Sequence, residues 1–71
     1  MYHEGELVQF LIEAQGTSLD PQRGSVNSVI SPGVIGVIMG WDSRFGYEVL
    51  VGDSLVYHID CDDLTSLGAG E

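Results

Sequence analysis

Val34-Ile35-Gly36-Val37-Ile38-Met39-Gly40-Trp41 decides the fold class of this chain. Two glycines within seven residues weaken a helix, and the β-branched side chains around them favour a strand. Gly36 and Gly40 share a face with Val34 and Ile38, and glycine inside a strand marks a bend or a bulge. Downstream, Asp42-Ser43-Arg44-Phe45-Gly46 reads as a hairpin turn into Tyr47-Glu48-Val49-Leu50-Val51. Gly52-Asp53-Ser54 then turns the chain into Leu55-Val56-Tyr57-His58-Ile59-Asp60. Asp62-Asp63-Leu64 reads as one turn of 3₁₀ helix, with Asp60 or Asp62 capping its amides, and Thr65-Ser66-Leu67 as a short closing strand.

Upstream, Gly5 to Glu13 reads as the first strand, with Val8, Phe10 and Ile12 on one face and Leu7, Gln9 and Leu11 on the other. Between residues 14 and 32 the composition shifts to Gly, Ser, Thr, Asp, Pro and Gln. Asp20-Pro21 and Ser31-Pro32-Gly33 are turn signals there. The expectation for 14–32 is a long loop excursion, with Val26, Val29 and Ile30 bringing it back to the body. Tyr47 and Tyr57 are expected to fill one end of the core, and residues 68–71 to form a flexible tail. Residues 1–71 thus form a single all-β domain, a five-stranded barrel with a long loop after the first strand and a 3₁₀ turn before the last.

This order resembles SH3-like barrels, including KOW-type domains and the short SH3-like proteins of bacteriophage genomes. The resemblance is carried by Gly5-Glu6-Leu7-Val8, Pro32-Gly33-Val34-Ile35-Gly36-Val37-Ile38, Tyr47-Glu48-Val49-Leu50-Val51 and Asp62-Asp63-Leu64. It covers Gly5 to Leu67 and describes shape more than activity. The chain is also similar to Sm-like barrels, without the helix with which those begin. The basic residues that KOW domains bring to RNA are missing, so their nucleic-acid role does not carry over.

Eleven acidic residues stand against Arg23 and Arg44, with no lysine and a net charge of −9. Such a balance repels phosphate backbones and argues against direct nucleic-acid binding. It serves solubility, and it also suits a basic partner. The single Cys61 forms no internal disulfide, and a free thiol fits a reducing compartment. The N-terminal residues carry no basic start or apolar run, and the most apolar stretch, Val29 to Trp41, is too short to span a bilayer. A cytoplasmic protein is expected, or one of the host cytoplasm or virion if phage-encoded.

His58, Asp60, Cys61, Asp62 and Asp63 bring metal-ligating types together, yet no second His or Cys pair completes a zinc set. The acidic run also lacks the glycine and terminal glutamate of a calcium loop. Ser54, Ser66 and Cys61 have no base-plus-orienter arrangement around them, and no lysine follows the glycines as a phosphate loop requires. No enzyme, cofactor or metal is therefore expected.

The informative residues are apolar ones on the wrong side. If Val8 and Phe10 face inward, Leu7 and Leu11 point outward, and Leu50 is left opposite Val49. Trp41 and Phe45 flank an exposed turn, where an aromatic platform can act as a hot spot. Leu7, Leu11, Trp41, Phe45 and Leu50 are the expected interaction surface. The expected function is a non-enzymatic, self-associating interaction or assembly module of phage or microbial type. The alternatives are an acidic inhibitor of a basic nucleic-acid-binding protein, and an Sm-like RNA-associated ring.

Overall fold

The computed structural model describes residues 2–67. Seven strands follow in order: β1 (Leu7–Phe10), β2 (Ala14–Asp20), β3 (Gly24–Ile30), β4 (Ile35–Asp42), β5 (Gly46–Val51), β6 (Ser54–Ile59) and β7 (Leu64–Ser66). A 3₁₀ turn over Cys61–Asp63 separates β6 from β7, and Asp60 is its cap, its side chain accepting from the Asp62 amide. The strands form one antiparallel sheet in the order β3-β2-β6-β5-β4-β1-β7. Among the described residues no pairing joins β3 to β7, so the sheet is open. The expected tail at 68–71 lies outside the described residues.

The strand count corrects the five-stranded expectation, and the reason lies in residues 14–32. These are not a loop excursion: β2 and β3 pair over their full length, from Ala14 opposite Ile30 to Asp20 opposite Gly24. The Asp20 carboxylate turns the hairpin by accepting from the Gln22 and Arg23 amides at 2.8 and 3.1 Å. Only Ala14, Gly16 and Ile30 of this hairpin are buried. Both of its faces are otherwise wet, so it lacks the apolar alternation that marks a half-buried strand.

One core cluster draws on all seven strands: Val8, Phe10, Ala14, Ile30, Ile38, Tyr47, Val49, Val56, Ile59 and Leu64. A flat sheet of seven strands would be roughly 29 Å across and could not bring both ends to one cluster. The sheet is therefore bent over its core. Two bulges assist. Between Ile38 and Gly40 the β4–β5 register slips by one residue, and β6 carries an extra residue opposite Tyr47–Val49. Each bulge breaks the period-two alternation, so Val56 and Ile59, three apart, are both buried.

The first strand ends earlier than its apolar pattern suggests. Val8 and Phe10 are buried, but Ile12, expected beside them, lies beyond β1 and is 54% exposed. The N-terminal segment is anchored instead. The Tyr2 hydroxyl donates to the Leu64 carbonyl at 2.9 Å and its amide to the Tyr47 hydroxyl at 3.2 Å. Tyr2, not Tyr57, is thus the ring packed on buried Tyr47, with centroids 5.5 Å apart.

Gly36 is a point of close approach between β4 and β5. A Cβ there would sit 2.6 Å from Val49 Cγ1 and 2.9 Å from the Leu50 carbonyl oxygen, and neither neighbour can retreat. At Gly40 the nearest atom to such a Cβ is Glu48 Oε1 at 3.4 Å, the end of a flexible side chain. Gly36→Ala is expected to cost about 1–3 kcal/mol through overpacking, and Gly40→Ala within about 0.5 kcal/mol of zero. Denaturant unfolding of the two variants tests this; equal stabilities would refute the close approach.

Candidate functional site

Antiparallel partners project to the same side of a sheet, so register alone assembles a row on the outer face. Leu7 lies opposite Val37, Val37 opposite Leu50, and Leu50 opposite Leu55. Leu67 continues the row beyond Leu7, its amide donating to the Leu7 carbonyl at 2.9 Å. Ile35 lies two residues from Val37 on the same face of β4. Leu7 is 47% and Ile35 52% exposed, whereas Val37, Leu50 and Leu55 are half-buried. The row crosses four strands, and Leu67 just after β7 extends it, without a charged side chain. Leu7 and Leu50, expected on sequence grounds, belong to it. Leu11 does not: it follows β1, its amide donating to the Asp63 carbonyl at 2.8 Å.

A second surface forms at the end of the β4–β5 hairpin. The turn is set by Asp42, whose carboxylate accepts from the Arg44 amide at 2.7 Å and whose carbonyl accepts from the Phe45 amide at 3.2 Å. Because of the β4 bulge, Trp41 lies opposite Tyr47, on the core-facing side that Ile38 also occupies three residues earlier. The Trp41 and Tyr47 centroids are 6.4 Å apart. A cavity of about 470 Å³ is lined by Tyr2, Trp41, Tyr47 and Cys61. A neighbouring groove of about 390 Å³ shares the last three and adds Phe45, His58 and Asp60 among others. Trp41 and Phe45 are thus brought together as expected. Tyr2 and Cys61 were missed, because nothing local to either residue shows that the two chain ends meet beside Tyr47.

His58 forms part of the floor and holds an unusual backbone. With φ at 68° it occupies the left-handed region at the β6 bulge. Its Nδ1 lies 3.0 Å from Thr17 Oγ1, and its ring stacks at 5.5 Å on Phe45. The imidazole is therefore engaged with β2 and the hairpin turn, apart from the acidic run. The donor atoms of Asp60, Cys61 and Asp62 lie within 4.8 Å of one another, all exposed.

These groups are electrostatically crowded. Burial first, then the charges of Asp60 and Asp62, push the Asp63 carboxyl above its usual range. Burial and the same two carboxylates also raise the Cys61 thiol. Glu6, by contrast, is held low, chiefly by the Ser66 hydroxyl that donates to it.

No protein-family model, curated protein or solved structure matches the chain. No helix among the described residues is long and apolar enough to cross a membrane.

Two outcomes follow from this geometry. A carboxyl whose folded-state pKa is raised binds its proton more tightly in the folded protein, so folding is favoured as pH falls through that pKa. Asp63→Asn is therefore expected to raise Tm at pH near 7, with the gain vanishing at a pH below the carboxylate range, where Asp63 is already protonated; a Tm gain independent of pH would contradict it. At the bulge, a β-branched residue cannot adopt the left-handed backbone that glycine accepts freely. His58→Val should be less stable than His58→Gly by about 1–2 kcal/mol in chemical denaturation.

Proposed function

We propose that this protein is a non-catalytic interaction module that acts as a homo-oligomer, with the outer apolar row as the contact between copies. The observation that carries the reading is the row itself, Leu7-Val37-Leu50-Leu55 aligned by register across four strands and extended by Leu67 after β7. The covering surface is a second copy because two chains that each carry a net charge of −9 can approach at short range only where carboxylates are absent, and the row is such a place. An isologous contact places identical rows against each other, burying Leu on Leu without any charged partner.

The bent sheet with its 3₁₀ turn before a short last strand fits an SH3-like barrel in which the first long connection is itself the β2–β3 hairpin. That assignment leaves strand edges and loops to serve a binding role, and it is the row, not the fold, that supports this role. The raised thiol of Cys61 favours the protonated and weakly nucleophilic form, which also fits a module without catalysis. A microbial or phage-encoded assembly component remains the role that this combination suits best.

Sedimentation velocity at high micromolar concentration tests the proposal. The native chain is expected to sediment as a dimer or larger species, and Leu7→Ser/Ile35→Ser, which alters exposed positions, to weaken association at least about tenfold. A native chain that is strictly monomeric, or a double variant that associates as the native chain does, refutes it.

A further inference from the structure

The three aromatic rings at the Tyr2–Trp41–Tyr47 cavity are not used by the outer row, and they are built to hold something. Tyr47 is buried, and Tyr2 is pinned at both its amide and its hydroxyl. Tyr2 meets Tyr47 edge-on at an interplanar angle of 69°, and Trp41 is tilted at 56° to it. Tyr2 and buried Tyr47 touch edge to face, so the ring faces left to a ligand in this space of about 470 Å³ are chiefly those of Trp41. Trp41 is 54% exposed, so one of those faces opens to solvent.

The charge beside this space is mostly acidic. Cys61 lines the cavity, and Asp60 and Asp62 have carboxylate oxygens within 4.8 Å of its sulfur. Glu6 and Asp62 both act on the Tyr2 phenol, adding to the burial that raises it. Among the described residues the only ion pair is Arg44 with Asp42, at 3.8 Å, and Arg44 lines the neighbouring groove together with Asp60 and Cys61. Among the described residues neither Asp60 nor Asp62 forms an ion pair.

We propose that this cavity is a binding site for an arginine side chain of a basic partner protein, its guanidinium stacked on Trp41 and hydrogen-bonded to Asp60 or Asp62. Negative ring faces and carboxylates without an ion-pair partner together select a cation; the chain has no lysine, and Arg44 in the neighbouring groove pairs with Asp42. Arginine fits better than lysine. Its planar group lies flat on an open indole face while its edge keeps donors free for a carboxylate, which a hydrated point charge cannot do. The same hairpin already displays the pairing, with Arg44 Cζ 5.3 Å above the Phe45 ring. The site is separate from the outer row, so an oligomer can present several copies of it.

Trp41 is the only tryptophan, which makes its emission a direct reporter. The probes are a capped tetra-arginine peptide and a capped tetra-lysine peptide, titrated at about 50 mM salt to limit screening. Tetra-arginine is expected to change Trp41 emission saturably and to bind at least about fivefold more tightly than tetra-lysine. By calorimetry, Trp41→Leu should weaken tetra-arginine binding about tenfold or more and Asp62→Asn about two- to fivefold, while Leu7→Ser/Ile35→Ser binds as the native chain does. Equal affinity for the two peptides overturns the proposal, since diffuse acidity then suffices. So does an unchanged affinity in Trp41→Leu, or the absence of saturable binding. Should Trp41→Leu fail to fold, the two-peptide comparison on the native chain and the Asp62→Asn variant decide the matter.

Discussion

Ten buried side chains drawn from seven strands must share one interior, and most of this structure follows from that demand. A sheet this wide closes over one core only by bending sharply, and bending needs places where backbones come close or strands gain a residue. Gly36 and Gly16 supply the first. A Cβ on Gly16 would meet the Tyr57 carbonyl oxygen and Val56 Cγ1, each at 2.5 Å. The bulges on β4 and β6 supply the second. The strain at His58 belongs to the same set. It is accepted because the bulge lets Val56 and Ile59 both reach the core, and the Thr17 and Phe45 contacts hold the ring that results.

The bend also sorts the apolar residues into two populations. Those on the inner face are consumed by the core. Those on the outer face at Leu7, Val37, Leu50 and Leu55 are aligned by the same ladder and left with no layer above them. Among the described residues no element packs over them as a second layer. Another copy of the chain is the cover we propose. The aromatic cavity arises differently, where the N-terminal segment and the 3₁₀ turn converge on the end of the β4–β5 hairpin. Its rings are held by core packing and by the two Tyr2 hydrogen bonds, so little ordering is needed before a ligand can enter.

The acidity takes a more specific meaning in this arrangement. Most carboxylates are solvated, and some serve the backbone: Asp20 and Asp42 turn hairpins, and Asp60 caps the 3₁₀ turn. Asp60 and Asp62 have a second consequence, because they stand beside three aromatic rings and crowd Asp63. Local crowding of like charge costs stability, and it is the kind of cost a cationic partner relieves.

Residue types and their spacing were enough to establish an all-β chain, the hairpins at Asp42–Gly46 and Gly52–Ser54, a 3₁₀ turn before the last strand, and the inward course of Val8, Phe10 and Val49. These depend on local preferences and on alternation, which act within a few residues. The structure starts the 3₁₀ turn one residue earlier, at Cys61, and chooses Asp60 over Asp62 as its cap. Residue types and spacing were also enough to mark Leu7, Leu50, Trp41 and Phe45 as surplus to the core. Only the tertiary structure decided the β2–β3 hairpin, whose faces are both polar and so carry no burial signal. It alone placed Ile12 outside and Tyr2 inside, because long-range hydrogen bonds at Leu64 and Tyr47 settle which chain end is covered. Trp41 shows the division most clearly. By alternation it belongs with Val37 and Met39 on the outer face, but one extra residue in β4 turns it toward Tyr47; Gly40 marked a bend or bulge there, and only the pairing with β5 decided that a residue is gained.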